Sequence, residues 1–375
     1  MDSSPRGRML AAYEGRHADR VPVAPEFWYY IPAQILDIPM YELELEVPHW
    51  QALQQTFRHY GCEGWGIVAP DVPQMRAATT RVTQLDPGQF EQRTELRIAG
   101  NTLVWRRRLD SIEPSWIVER PVKDFDRDWP SYEVLAFAPL ETLDWTPVQM
   151  ALDAVGDDYL LEVFAGFPFI DFLGESREGG LERVILDLVD REPEMLALQA
   201  RYIEYLSTKI EAAFLNTTAR SIFIASGWSS LSLLSPRVWR KWEKPVLAAA
   251  VAAAHACGGL IHHHFHGRCH GVLPELADLG LDCICPFERP PGGDVTDLSE
   301  VRATLGDRTA FNGNVHTVNT LLTGSPDDVR REVEEVLAAF EGSPRLIVGT
   351  GDQVAAGTPD ENIFAMIEAV RRAAI

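Results

Sequence analysis

Positive charge is scarce in this 375-residue sequence: 34 Lys and Arg stand against 55 Asp and Glu, a formal net charge of −21. A field of that sign repels polyanions, which argues against nucleic acid or an anionic membrane surface as the main partner. Long apolar runs are missing as well. No stretch approaches the ~20 residues that cross a bilayer, and the opening MDSSPRGRML has no apolar core of a secretory signal. Cysteine is sparse and odd in number, with Cys62, Cys257, Cys269, Cys283 and Cys285. Reduced thiols and a cytoplasmic setting are therefore expected. Low-complexity tracts and short repeats are absent, which sets aside solenoids and propellers. So is a GxGxxG after the first strand-like run, which counts against an open dinucleotide-binding sheet.

What the chain does have is alternation. Strand-like runs fall at 21–27, 64–69, 159–165, 221–226, 259–266, 282–287, 309–314 and 345–350. Amphipathic helical patterns lie between them, for example at 181–189, 193–214, 236–256, 326–340 and 360–373. Ser235-Pro236, Ser325-Pro326 and Thr358-Pro359 look like helix starts, where Pro suits the first turn. Eight strands alternating with helices predict an α/β fold, a (β/α)8 TIM barrel over 1–375 with an N-terminal extension. Residues 92–120 look like an inserted β-hairpin near the C-terminal mouth, turning at Ala99-Gly100-Asn101. Its Arg106-Arg107-Arg108 run is either a solvated face or a lid over an anionic substrate.

Six of the ten His crowd into 255–270: His255, His262, His263, His264, His266 and His270. In a strand, residues two apart share a face, so His262, His264 and His266 form one row and His263 points away. The last two lie nearest the C-terminal end, where barrels of this type carry their active sites. His264 and His266 are thus candidate metal ligands, with Asp352 at the end of the last strand as a third. Such a His2Asp set suits zinc and also the two-His-one-carboxylate arrangement of iron. Asp352 could instead be an ordinary turn residue beside Gly351. His316, at another strand end, is a candidate acid/base or ligand, and Glu26 and Glu162 are candidate catalytic carboxylates. Asp71 and Glu288 also sit at strand ends, and each is more simply a solvated group. Trp28, Tyr29, Phe164 and Trp228 could wall a substrate pocket or merely pack the core. Cys269, Cys283 and Cys285 lack a complete zinc tetrad and are expected to be buried free thiols.

Together RMLAAYEGRHADRVPV, SWIVERPVKDFDRDW, LSPRVWRKWEKP, GGLIHHHFHG, ADLGLDCICPFERPPGGDV, LGDRTAFNGNV and GTGDQVAAGTPDENI resemble the uroporphyrinogen decarboxylase-like superfamily. The similarity is greater to its zinc-dependent, corrinoid-linked methyltransferase branch. That resemblance implies a (β/α)8 barrel in accord with the strand count. Methyltransferase members show His-x-Cys-Gly at the fifth strand and Gly-Cys before a Thr-Pro-x-Glu-Asn helix start. His264 matches directly, while His266 and Asp352 replace the two Cys, giving a harder site with more open choice of metal. The Arg-Gln-Ala-Gly-Arg-Tyr motif of uroporphyrinogen decarboxylase is replaced by Glu26-Phe27-Trp28-Tyr29-Tyr30.

The resemblance implies a metal-dependent methyltransferase or demethylase acting on a small methylated substrate. Its divalent metal would be zinc, with Fe, Mn, Co or Ni as alternatives, and a partner protein would carry a corrinoid. Barrels of the superfamily are often dimeric, so a homodimer is one expectation. The rival readings are a decarboxylase or other lyase, and a non-catalytic protein that binds a metal, corrinoid or tetrapyrrole.

Overall fold

The computed structural model describes residues 3–373. Strands β1 (Val23–Ala24) and β2 (Trp65–Val68) come first. Strands β3 (Thr79–Asp86), β4 (Gln89–Ile98), β5 (Asn101–Asp110) and β6 (Trp116–Glu119) follow as a separate group. Strands β7 (Leu160–Gly166), β8 (Ser221–Ser226), β9 (Leu260–Phe265), β10 (Cys283–Cys285), β11 (Ala310–Val315) and β12 (Leu346–Thr350) complete the set. Each of the eight strand-like runs of the sequence overlaps one of the parallel strands, two of which run one residue further, to Gly166 and Val315.

Those eight form one sheet in the order β1-β12-β11-β10-β9-β8-β7-β2. The first strand pairs in parallel with the last, Val23 opposite Val348, so the sheet curls back on itself as in a TIM-type barrel. Its lumen has its own core, to which Ala24, Trp65, Leu160, Phe223, Cys283, Cys285, Ala310 and Ile347 contribute. Met9 and Tyr13 of the helix Pro5–Glu14 join that core. A larger core fills the space between strands and surrounding helices.

The expected closed ladder needs one correction, because β1 and β2 share no ladder. The cause is local. Val23 N–H is taken by the Glu63 carboxylate at 3.0 Å, and the next N–H on that side would belong to Pro25, which has none. Side chains bridge the seam instead, with the rings of Trp28 and Trp65 5.5 Å apart.

The insertion is larger than the sequence suggested. It is a four-stranded antiparallel sheet running from Thr79 to Glu119, in the order β3-β4-β5-β6. Its β4–β5 turn lies where expected, with Ala99 and Gly100 at φ 47 and 81, as a two-residue turn with both φ positive requires. The reading of Arg106–Arg108 as a free basic lid is overturned. Arg106 pairs with Glu119 at 2.5 Å, Arg107 with Glu44 at 3.0 Å and Arg108 with Glu91 at 3.3 Å.

Two of the three expected helix starts carry Ser caps. Ser235 accepts from Val238 N–H, and Ser325 forms a capping box with Asp328. The third helix begins later, at Asp360, with Pro359 in the N-cap position. Pattern 236–256 divides into Pro236–Trp242 and Lys244–Ala256, the second with Pro245 in its first turn. Among the described residues no helix is long and apolar enough to cross a membrane.

One carboxylate anchors the insertion. Asp128 accepts from the N–H groups of Lys123 and Asp124 (2.9 Å each), from Asn101 Nδ2 (3.0 Å) and from Arg127 Nε (2.7 Å). Burial works against its charge, but these donors outweigh burial and hold its pKa well below the ordinary carboxylate range. Asp128→Ala should cost about 2–3 kcal/mol at neutral pH in urea unfolding. A depressed folded-state pKa gives stability that is present above the unfolded value and lost as pH falls through the folded one. The gap between variant and wild type should therefore narrow only in strong acid. Coincident unfolding midpoints at pH 7 would remove Asp128 as the anchor.

Candidate functional site at the strand ends

Strand β9 builds the site by simple alternation. His263 faces away from the lumen, its Nδ1 3.2 Å from Ile224 O and its Nε2 3.4 Å from Ser226 Oγ. His262 and His264 face inward. His262 lies one layer down, with Nδ1 2.9 Å from Glu162 Oε2 and 3.0 Å from Tyr13 Oη. Ser221 donates to the other Glu162 oxygen at 2.6 Å. Glu162 is fully buried there, so it reaches the mouth only through His262.

One layer up, His264 Nδ1 lies 3.2 Å from Cys285 Sγ and 3.9 Å from Glu26 Oε2. His266 stands just past the strand, its ring 4.5 Å from that of His264. The chain must turn sharply after it. Gly267 has φ +73, and a Cβ there would meet Ser232 Oγ at 2.3 Å. The turn lets Glu288 Oε1 accept from both His266 Nδ1 (2.8 Å) and Gly267 N–H (2.6 Å). The other nitrogen of His266 is 3.8 Å from Asp352 Oδ1. Glu26 and Asp352 are tied together through Thr350, whose hydroxyl accepts from Glu26 N–H at 3.0 Å and donates to Asp352 O at 2.6 Å.

The electrostatics divide the two histidines. Burial, then the nearby His266, His262 and His263, push His264 well below the usual histidine range, leaving a neutral ring. For His266 burial also works downward, but the Glu288 hydrogen bond and the charges of Asp352, Glu288 and Glu26 prevail and raise it to about 9. Burial and the charge of Asp352 push Glu26 well above the carboxylate range.

The donor chemistry fits a metal ion. One ligand atom each from Glu26, His264 and Cys285 lie within 4.8 Å of one another, all three residues buried. Ligands of a tetrahedral ion with bonds of ~2.0–2.3 Å stand ~3.3–3.8 Å apart, so only a small contraction is needed.

The other candidates fall into two groups. Trp28 and Phe164 border the lumen core. With them stand Trp65 and Phe223, whose rings lie 6.1 and 6.0 Å from His264. Tyr29 packs on His49 at 5.4 Å. Trp228 is drawn to the helix Phe169–Ser176, where its N–H donates to Asp171 at 2.7 Å and Arg120 covers its ring at 5.3 Å. His316 is not brought to the cluster. Its Nδ1 caps the turn after β11, accepting from Val318 and Asn319 N–H at 3.2 Å each. Its Nε2 lies 3.3 Å from Pro290 O. Cys285 and Glu288 are the close neighbours of the histidines that sequence reasoning left out of the site. The signal for Cys285 was present in Cys283-x-Cys285, which alternates like His262 and His264.

Comparison with known proteins follows this geometry. Residues 147–373, more than half of the chain, match the family model described as uroporphyrinogen decarboxylase (URO-D). A methylcobamide:CoM methyltransferase, MtaA, of Methanosarcina barkeri is 28% identical over 168 residues, 44% of this chain and 46% of that protein. A uroporphyrinogen decarboxylase of Chromohalobacter salexigens is 30% identical over 178 residues, 44% of each chain. The matched stretch thus spans about half the length of these relatives. A methyltransferase from Methanosarcina mazei has the same fold over 99% of both chains, with a TM-score of 0.68 at 17% identity. Eight parallel strands in barrel order and the family match over the C-terminal part lead to one conclusion: the chain belongs to the uroporphyrinogen decarboxylase family.

Proposed function

We propose that this protein is a metal-dependent methyltransferase or demethylase acting on a small methylated substrate. His264, His266 and Asp352, joined by Glu26, would hold a divalent ion at the strand ends. The observation that carries this reading is the convergence of a neutral, buried His264 with Glu26 and the His266–Asp352 pair. Such an ion would supply Lewis acidity to a heteroatom of the methyl donor or acceptor. The protein's own groups do the rest. Glu288 fixes the ring of His266, and Thr350 keeps Glu26 and Asp352 in step. Trp28, Trp65, Phe164 and Phe223 present an apolar wall that keeps water from the transferring methyl group. The name of the Methanosarcina barkeri relative includes methylcobamide. A corrinoid on a partner protein is the matching methyl carrier here.

Decarboxylation is the second reading, supported by the Chromohalobacter salexigens relative. A net charge of −21 disfavours a polycarboxylated substrate.

Metal titration of folded Asp352→Ala protein tests the assignment. Loss of a direct ligand should weaken binding by more than the ~10–100-fold typical of changes behind the ligands. Circular dichroism should stay native, because a strand-end carboxylate does not hold the core. Asp352→Cys should keep zinc. Wild-type affinity in folded Asp352→Ala would leave Glu26, not Asp352, as the carboxylate ligand.

A further inference from the structure

The donor set proposed above is all nitrogen and oxygen, yet a sulfur lies closer to His264 than any of its other partners. Cys285 Sγ is 3.2 Å from His264 Nδ1, against 3.9 Å for Glu26 Oε2. The β9–β10 register is the cause. Cys285 sits opposite His264 and Cys283 opposite His262, and period-two alternation sends all four side chains into the lumen. The sulfur is also approached from below, by His262 Nε2 at 3.1 Å, while Glu162 holds the other side of that ring at 2.9 Å. Cys285 thus borders the lumen core and stands between two imidazoles, and it shares with Glu26 and His264 a volume that one ion can fill.

Resting on the metal reading above, the geometry points to Cys285 as a thiolate ligand that holds the ion from the inner side together with His264 and Glu26. As the ion enters, the S–H bond breaks, the sulfur electron pair forms the sulfur–metal bond, and the proton leaves to solvent; no oxidation state changes. A thiolate moves the site from hard toward soft, selecting zinc or cobalt over magnesium or manganese. His266 and Asp352, on the outer side of His264, would be left toward the substrate.

The test uses the full-length protein, freed of metal and reloaded with cobalt(II). Thiolate ligation gives a near-ultraviolet sulfur-to-cobalt charge-transfer band beside the visible ligand-field bands. Wild type should show both. Cys285→Ser should lose the charge-transfer band, keep ligand-field absorption and bind cobalt at least ~10-fold more weakly. Cys283→Ser, altered one layer deeper, should keep both. Ligand-field bands without charge transfer in wild type would overturn the thiolate and leave the metal reading standing. A charge-transfer band surviving in Cys285→Ser would overturn it too, and a protein that binds no cobalt would remove both readings. If Cys285→Ser does not fold, the wild-type spectrum still decides whether sulfur is bound. Cys283→Ser and Cys269→Ser then assign it by elimination.

Discussion

On the proposed reading, His264→Ala protein should purify without metal and without methyl transfer, while His263→Ala keeps whatever metal and activity the wild type has. The two residues are adjacent, and both are buried, so burial and sequence position cannot separate them. Direction can. His264 is the group shared by Cys285, Glu26 and His266, and its loss leaves the remaining donors with no common centre. His263 points into the layer between strands and helices, where it contacts Ile224 O and the ring of Phe265 at 5.6 Å. Its replacement should cost about 1–3 kcal/mol of stability through the void it leaves, with metal content unchanged. Elemental analysis and unfolding curves of both variants supply the comparison. Equal metal loss would show that strand alternation does not govern the site.

Glu63→Ala should destabilise the fold by about 2–4 kcal/mol, because it removes a fully buried carboxylate from Arg20, from Val23 N–H and from an Arg8 that keeps only Asp19. Glu63 has no exposed side-chain surface. It accepts from Arg8 at 3.0 Å, from Arg20 at 2.5 Å and from Val23 N–H at 3.0 Å. One carboxylate thus ties the first helix, the approach to β1 and β1 itself to the start of β2. An exposed pair would be worth only ~0–1 kcal/mol. Denaturant midpoints of the variant decide between these, and a loss under about 1 kcal/mol would reduce Glu63 to an ordinary ion pair.

The parallel sheet was legible because each of its strands is a short apolar run bounded by turn residues, and the helices between them carry their own period. The seam was not legible. Pro22 and Pro25 were visible, but that Glu63 would take Val23 N–H depends on a fold that brings them together. The insertion began too late in the sequence reading because β3 is exposed along its whole length and carries no apolar alternation. At the site, period two along a single strand separated His264 from His263. What one strand cannot encode is the register of its neighbour. Cys285 is the buried free thiol that was expected, but its place across the ladder from His264 could not be read from either strand alone. At His316 the sequence showed the strand end but not that local backbone N–H groups compete for its Nδ1.

The unladdered seam also bears on how the chain assembles. β1 has a backbone partner on one side only, and that partner is β12, more than 320 residues later. During synthesis the amino-terminal strand emerges long before the strand that will pair with it exists. Contacts of such sequence separation carry the greatest loop-closure cost and form late. Until then the salt-linked carboxylate of Glu63 is the nearby element that can hold β1 against β2. A chain stopped short of Leu346 would leave β1 without a strand on either flank, and Glu26 at its end without the Thr350 hydroxyl that positions it.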